Sequence, residues 1–173
     1  VYGLGISECL AATIGNVTSW TTAGQDTTFQ IDDGSKVRIT ILAADTARVR
    51  IAPNGTFTTN VSRAVINTSW APAAFTTTDG GSSVIISTGS MKLIILKSPF
   101  VLECRDPSNN LMLTDDPSRR TQWDSGSTQI YKTTQSNEKY VGLGWRTAGL
   151  VRNGMKFVMR NVPNYGSPDT FYS

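Results

Sequence analysis

The 173 residues contain no histidine. That absence removes a Ser-His-Asp triad, a Cys-His dyad, an imidazole metal ligand and a histidine pH switch from consideration. Glutamate is nearly missing too: only Glu8, Glu103 and Glu138 are present, so carboxylate chemistry falls mostly to ten scattered aspartates. The only cysteines are Cys9 and Cys104, too few for a disulfide framework and without the CxxC spacing of a metal or redox centre. Two unpaired thiols and a single bridge from the N-terminal segment to a central strand both remain open. The longest apolar run, Leu93 to Leu96, is cut by Lys92 and Lys97 and falls far short of the ~18 residues of a membrane span. Clustered positive charge is also lacking. Sixteen Lys and Arg against thirteen acidic residues leave a net charge of +3, and Arg119-Arg120 is the one adjacent pair. A nucleic-acid binder gathers its cations with exposed aromatics on one face, so neither nucleic acid nor membrane is expected as a partner.

What is present points to a β protein. The length suits one domain, expected to span residues 1–173. A chain of this size buries roughly 70% of its unfolded surface without needing a metal or disulfide scaffold. Apolar residues make up 39% and charged residues only 17%, while there are 17 Ser and 23 Thr. That balance resembles a Thr/Ser-rich secreted all-β protein, so an extracellular location is expected, although Val1 is not followed by the basic and apolar regions of a signal peptide. Four Asn-x-Ser/Thr sequons, at Asn16, Asn54, Asn60 and Asn67, are compatible with secretion but arise by chance in such a composition.

Turn signals recur along the chain at Asp33-Gly34, Asn54-Gly55, Asp79-Gly80-Gly81, residues 107–110, Ser125-Gly126 and Asn153-Gly154. Between them lie runs with period-two patterning. Val37, Ile39 and Ile41 form one face, Val49 and Ile51 another, then Met91, Leu93 and Ile95, and late in the chain Phe157 and Met159. Residues 129–132 read as a strand inside the long polar stretch 114–139. The best helical candidate, residues 61–70, contains Asn67, Thr68 and Ser69 and predicts one turn or none. Short strands separated by turns indicate an all-β antiparallel β-sandwich with little or no helix.

The side chains that could carry chemistry have plain structural readings. Asp32-Asp33 before Gly34, and Asp115-Asp116 before Pro117, look like turns in which a carboxylate caps backbone N–H groups. Neither has calcium-loop spacing. Serine chemistry lacks both a histidine base and a G-x-S-x-G turn, and Gly142-Leu143-Gly144 lacks the rest of a phosphate loop. Trp20, Trp70, Trp123 and Trp145 could stack on sugar rings; filling the core is the commoner use. No metal site and no cofactor is expected. From these residues alone the chain reads as a non-catalytic β-sandwich, for which a stand-alone carbohydrate-binding or surface-assembly module is one use.

A more specific pattern closes the sequence. From Lys139 it reads KYVGLGWRTAGLVRNGMKFVMRNVPNYGSPDTFYS. Gly142, Leu143, Gly144, Gly149, Leu150, Arg152, Gly154, Asn161, Tyr165, Gly166, Asp169 and Tyr172 fall in register on a signature that resembles the end of the N-terminal domain of glycoside hydrolase family 31, the α-glucosidase and α-xylosidase family. Upstream, residues 37–39, 48–50 and 97–100, with Asp106 and Leu113, also resemble that domain.

The resemblance implies a galactose-mutarotase-like sandwich preceding a catalytic (β/α)8 barrel that would follow residue 173. The two catalytic aspartates of the retaining double displacement would lie in that barrel, so no catalytic residue is expected in this segment. The sandwich would brace the barrel and lend it a loop, here residues 160–166, from which Asn161, Asn164 and Tyr165 would contact α-linked oligo- or polysaccharide. Trp145, Val151 and Pro163 stand where the family commonly has Glu, Asp and a sugar-contacting Asp. Losing the last removes a charged acceptor for sugar hydroxyls, contributing about 1.5–3 kcal/mol per hydrogen bond. That makes a transglycosylase, or an unusual linkage preference, an alternative to an ordinary α-glucosidase.

Overall fold

The computed structural model describes residues 12–59, 65, 69–124, 127–142 and 149–156. Twelve strands follow in chain order: β1 (Ala12–Thr13), β2 (Val17–Ala23), β3 (Asp26–Ile31), β4 (Lys36–Ala43), β5 (Thr46–Ala52), β6 (Thr76–Asp79), β7 (Ser83–Ser87), β8 (Lys92–Lys97), β9 (Phe100–Arg105), β10 (Leu111–Thr114), β11 (Thr121–Trp123) and β12 (Thr128–Ile130). They form three antiparallel sheets, ordered β2-β3-β4-β5, β10-β9-β8-β7-β6 and β1-β11-β12. Among the described residues there is no helix. This is the all-β sandwich that the alternating pattern predicts.

The four- and five-stranded sheets share one core. Phe29 and Ile31 of β3 with Val37, Ile39 and Ile41 of β4 pack against Val84 and Ile86 of β7, Leu93 and Ile95 of β8, and Phe100 and Leu102 of β9. The Phe29 and Phe100 rings meet edge to face at 6.1 Å and tie the two layers together. Burying a side chain of this kind contributes roughly 1.5–3 kcal/mol, so the run of alternating positions supplies most of the drive to form the sandwich. Met91, just before β8, is buried as its pattern predicts.

One predicted face is only partly covered. Val49 pairs with Ile39 and shares its side of the sheet, yet it remains 40% exposed. β5 is an edge strand whose Ala47 and Ile51 pack on the core while Val49 between them stays partly open. Conversely, Thr27 occupies a fully inward position on β3. Its hydroxyl is satisfied by the Thr22 hydroxyl at 3.0 Å, which removes the cost of burying it.

Turn chemistry matches the punctuation of the sequence. Asp33 Oδ1 accepts the Ser35 N–H (2.8 Å), Asn54 Oδ1 the Thr56 N–H (3.1 Å), Asp79 Oδ1 the Gly81 N–H (2.8 Å) and Asp106 Oδ1 the Asn110 N–H (2.8 Å). Gly55 is demanded twice over. Its φ is +73°, and a Cβ there would lie 2.7 Å from the Gly34 carbonyl oxygen. The stretch 114–139 holds more structure than its polarity suggests, since β11 and β12 form a hairpin within it and Lys132 bridges Asp115.

The chain divides into two compact units, residues 1–133 with all twelve strands and residues 134–173. In the second, the described chain makes an antiparallel bridge between Val141 and Val151. The predicted run at Phe157 and Met159, the turn at Ser125-Gly126 and most of residues 61–70 lie outside the described residues.

Candidate functional site

Every carboxylate among the described residues is engaged by close neighbours. Asp26 takes the Thr40 hydroxyl, Asp45 the Thr46 hydroxyl, Asp124 the Ser127 N–H, Glu103 the Arg105 guanidinium and Glu138 the Gln135 N–H. The Asn16 N–H holds the Asp32 carboxyl below its usual range, with the Asn16 side-chain amide adding to it. The Lys97 ammonium does the same for Asp79, and the Asn110 side chain for Asp106. Asp116 is pushed furthest down, because its carboxylate accepts from the Ser118 hydroxyl, the Arg119 N–H and the Arg119 guanidinium. A glycosidase general acid needs the opposite shift, upward toward neutrality. Asp79, Asp106 and Asp116 also cap turns, whereas Asp32, expected to do so, ties its turn to Asn16 sixteen residues earlier and leaves the cap to Asp33.

Asp115 corrects one expectation. It resembles a turn cap in sequence, but its side chain is buried, accepts the Leu102 N–H at 2.9 Å and pairs with the Lys132 ammonium. Its backbone N–H also bonds to the Leu102 carbonyl (3.0 Å). Asp115 therefore pins the end of β10 to β9, and only its neighbour Asp116 caps the turn. Burial was invisible in sequence because its charge partner lies 17 residues away.

The tryptophans divide. Trp20 and Trp123 pack partly buried against the core, Trp70 is 42% exposed, and Trp145 lies outside the described residues. Cys104, on β9, is a free thiol whose pKa burial raises; Cys9 lies outside the described residues. Among the described residues no cluster of three or more His, Cys, Asp or Glu could hold a metal ion.

The loop residues Asn161, Asn164 and Tyr165 also lie outside the described residues, but the segments preceding them are described. Residues 138–142 and 151–155 run antiparallel through the Val141–Val151 bridge, extended by the Arg152 N–H to the Tyr140 carbonyl (2.7 Å). The chain then turns, with the Met155 N–H on the Arg152 carbonyl (3.1 Å) and Gly154 at φ +74°. A side chain with a Cβ is strained in that conformation, which accounts for the glycine in the closing signature. Arg152 is buried and its Nε reaches the Gly142 carbonyl at 3.4 Å.

Sequence reasoning missed two features of this segment. Asn153 uses both ends of its amide on the opposite segment: Oδ1 accepts the Tyr140 N–H and Nδ2 donates to the Glu138 carbonyl, both at 2.9 Å. Apolar exposure also gathers here, with Tyr140 41%, Val141 56%, Leu150 76%, Val151 45% and Met155 47% exposed. The available signal was a set of apolar residues around glycines with no alternating partners.

The model of the glycosyl hydrolase 31 N-terminal galactose mutarotase-like domain matches residues 36–173. No match was found among curated proteins. A Flavobacterium johnsoniae GH31 dextranase, solved with isomaltotriose, superposes with a TM-score of 0.82 at 25% identity, covering 93% of this chain and 20% of that one. The cycloalternan-forming enzyme of Listeria monocytogenes, solved with a pentasaccharide substrate, gives 0.68 at 21% identity, covering 82% of this chain and 14% of the enzyme. An uncharacterized protein of Listeria monocytogenes, solved with glucose, magnesium and calcium, gives 0.69 at 21% identity over the same shares. This chain thus spans a fifth or less of the length of these solved relatives. On the family match over most of its length, the chain belongs to the glycosyl hydrolase 31 N-terminal galactose mutarotase-like domain family.

Proposed function

We propose that this chain is the non-catalytic N-terminal domain of an extracellular polypeptide that hydrolyses or transfers α-linked glucosyl units. In this reading the sandwich braces a catalytic barrel of the same polypeptide, and residues 160–166 lend Asn161, Asn164 and Tyr165 to the sugar subsites. The observation that carries it is the concentration of exposed apolar side chains at Tyr140, Val141, Leu150, Val151 and Met155, in the segment that leads to that loop. Exposed apolar side chains gathered along one segment are what a covering protein surface would bury. The dextranase relative, solved with isomaltotriose, supports an α-glucan as substrate class. The described carboxylates are engaged by hydrogen-bond or ion-pair partners within the fold, and in this reading the reacting acids belong elsewhere in the polypeptide.

The test uses the full-length polypeptide with maltose, isomaltotriose and an aryl α-glucoside. Turnover of at least one is expected, and Asn161→Ala with Tyr165→Ala should impair it while the thermal unfolding midpoint stays within a few degrees of wild type. Wild-type inactivity on all three would sink the reading, and unchanged kinetics in the double variant would reduce the domain to a brace.

A further inference from the structure

The alternation that turns Val37, Ile39 and Ile41 into the core turns Lys36, Arg38 and Thr40 to the other face of β4. On β5 that same face carries Arg48 and Arg50. The register sets Arg38 directly opposite Arg50, and Arg48 opposite Thr40. Like charges in opposite positions destabilise a sheet, and little on this face offsets them. Among the strand residues that share it, Asp26 of β3 is the one carboxylate. Its Oδ2 lies 3.7 Å from Arg38 Nη1, and its Oδ1 takes the Thr40 hydroxyl. Lys36 has only Ala52 opposite it. Arg48 has no hydrogen-bond or ion-pair partner among the described residues, and its Nε is buried.

Two of the guanidiniums are held in place before anything binds. Arg38 Cζ stands 4.2 Å and Arg50 Cζ 5.5 Å from the centroid of the Phe57 ring. Arg50 Nη2 also donates to the Thr58 carbonyl at 2.6 Å, which leaves its other N–H donors free to serve a ligand. We propose that this face is a docking surface for an acidic protein segment, whose carboxylates pair with Lys36, Arg48 and Arg50. The excess of positive charge sets the sign of the partner. The composition sets its class: arginine and aromatic side chains are enriched in protein interfaces and lysine is depleted, and here arginines outnumber the single lysine around one phenylalanine. A guanidinium fork also matches a carboxylate through two parallel hydrogen bonds. Phe57 is engaged by guanidinium, so it is not open for the base stacking that a single-stranded nucleic acid uses. Because the arginines are already positioned, docking costs less ordering entropy. The proposal is independent of the sugar chemistry above.

The experiment titrates the full-length polypeptide with poly-L-glutamate, heparin and oligothymidylate at about 0.05 M and about 0.5 M NaCl. Poly-L-glutamate is expected to bind at the lower salt and about tenfold or more weakly at the higher, where screening acts within a few ångströms. Arg48→Gln with Arg50→Gln is expected to weaken that binding about fivefold or more. Lys92→Gln with Arg105→Gln, opposite each other on β8 and β9, removes the same charge from the other large sheet and should leave binding within about twofold of wild type. Absence of poly-L-glutamate binding, or equal loss in the two double variants, would overturn the proposal. So would tighter binding of heparin or oligothymidylate through the same arginines. Arg48→Gln alone breaks no contact with a described residue, so if the first double variant does not fold, this single change decides: a loss of about twofold or more supports the proposal, and unchanged binding overturns it.

Discussion

At the scale of single residues, the carboxylates are committed to turn caps and to contacts between neighbouring segments. Asp32, Asp79, Asp106 and Asp116 all carry pKa values held below the ordinary carboxylate range by donors placed against them in the fold. Such groups release their protons more readily folded than unfolded. Their contribution is therefore complete above the unfolded value of about 4 and is lost as pH falls through the lower folded values. The chain has no histidine, the side chain that ordinarily titrates between pH 5 and 7. The thermal unfolding midpoint is expected to stay level from about pH 7 to 5 and to decline below about pH 4; a step centred near neutrality would contradict this. Asp115 is buried. Asp115→Ala strands the Leu102 N–H and removes the Lys132 partner, so a loss of about 2 kcal/mol is expected in urea unfolding. Asp115→Asn retains an acceptor for Leu102 and should cost less, because Lys132 is 31% exposed and can be solvated instead.

At the scale of elements, two glycines in turns separate conformational strain from steric collision. Gly24 has φ +57° and open space within 4 Å of where a Cβ would stand, whereas Gly55 has φ +73° and a Cβ there would lie 2.7 Å from the Gly34 carbonyl oxygen. Gly24→Ala is expected to cost about 1–2 kcal/mol, the left-handed penalty alone. Gly55→Ala must cost more, since the turns at Gly34 and Gly55 have to move apart. Denaturant titration of both variants checks the order, and equal losses would show that the Gly34 turn yields freely. The edge strands obey a related rule. Val49 of the edge strand β5 lies opposite Ile39 on the same face, yet remains 40% exposed. Val49→Thr is therefore expected to lower stability by less than about 1 kcal/mol, while Ile39→Ala, fully buried on the neighbouring strand, costs about 2–5 kcal/mol. Urea unfolding of the pair provides the comparison.

At the scale of the molecule, the inner faces of the sandwich bury most of their apolar side chains, while Tyr140, Val141, Leu150, Val151 and Met155 leave theirs exposed. For a free chain, that exposure promotes association. Leu150→Ser with Met155→Gln is expected to reduce self-association of the 173-residue chain in sedimentation velocity without lowering its unfolding midpoint. In the full-length polypeptide the same changes are expected to lower the midpoint, because there they remove contacts with a covering surface. An unchanged midpoint in the full-length polypeptide would count against the bracing role.

Much of this architecture could be read from alternation. Val37, Ile39, Ile41, Leu93 and Ile95 are all inward, because a period of two leaves only one way to bury them. The turns were equally plain, since Asp, Asn and Gly supply both the capping oxygen and the left-handed backbone locally. Thr-rich β2, β3 and β6 and polar β11 carried no such signal: threonine suits either face, and only the packed sheets decide that Thr27 is buried against the Thr22 hydroxyl. The family signature at residues 142–154 was legible as a pattern of glycines and an arginine, yet not its reason. The left-handed turn at Gly154, the burial of Arg152 and the two-ended Asn153 amide contact depend on a second segment about ten residues or more earlier in the chain. The sequence by itself determined what repeats within a strand or closes within a turn; tertiary structure decided the fate of groups whose partners lie far along the chain, such as Asp115 with Lys132, because only folding brings them within hydrogen-bonding distance.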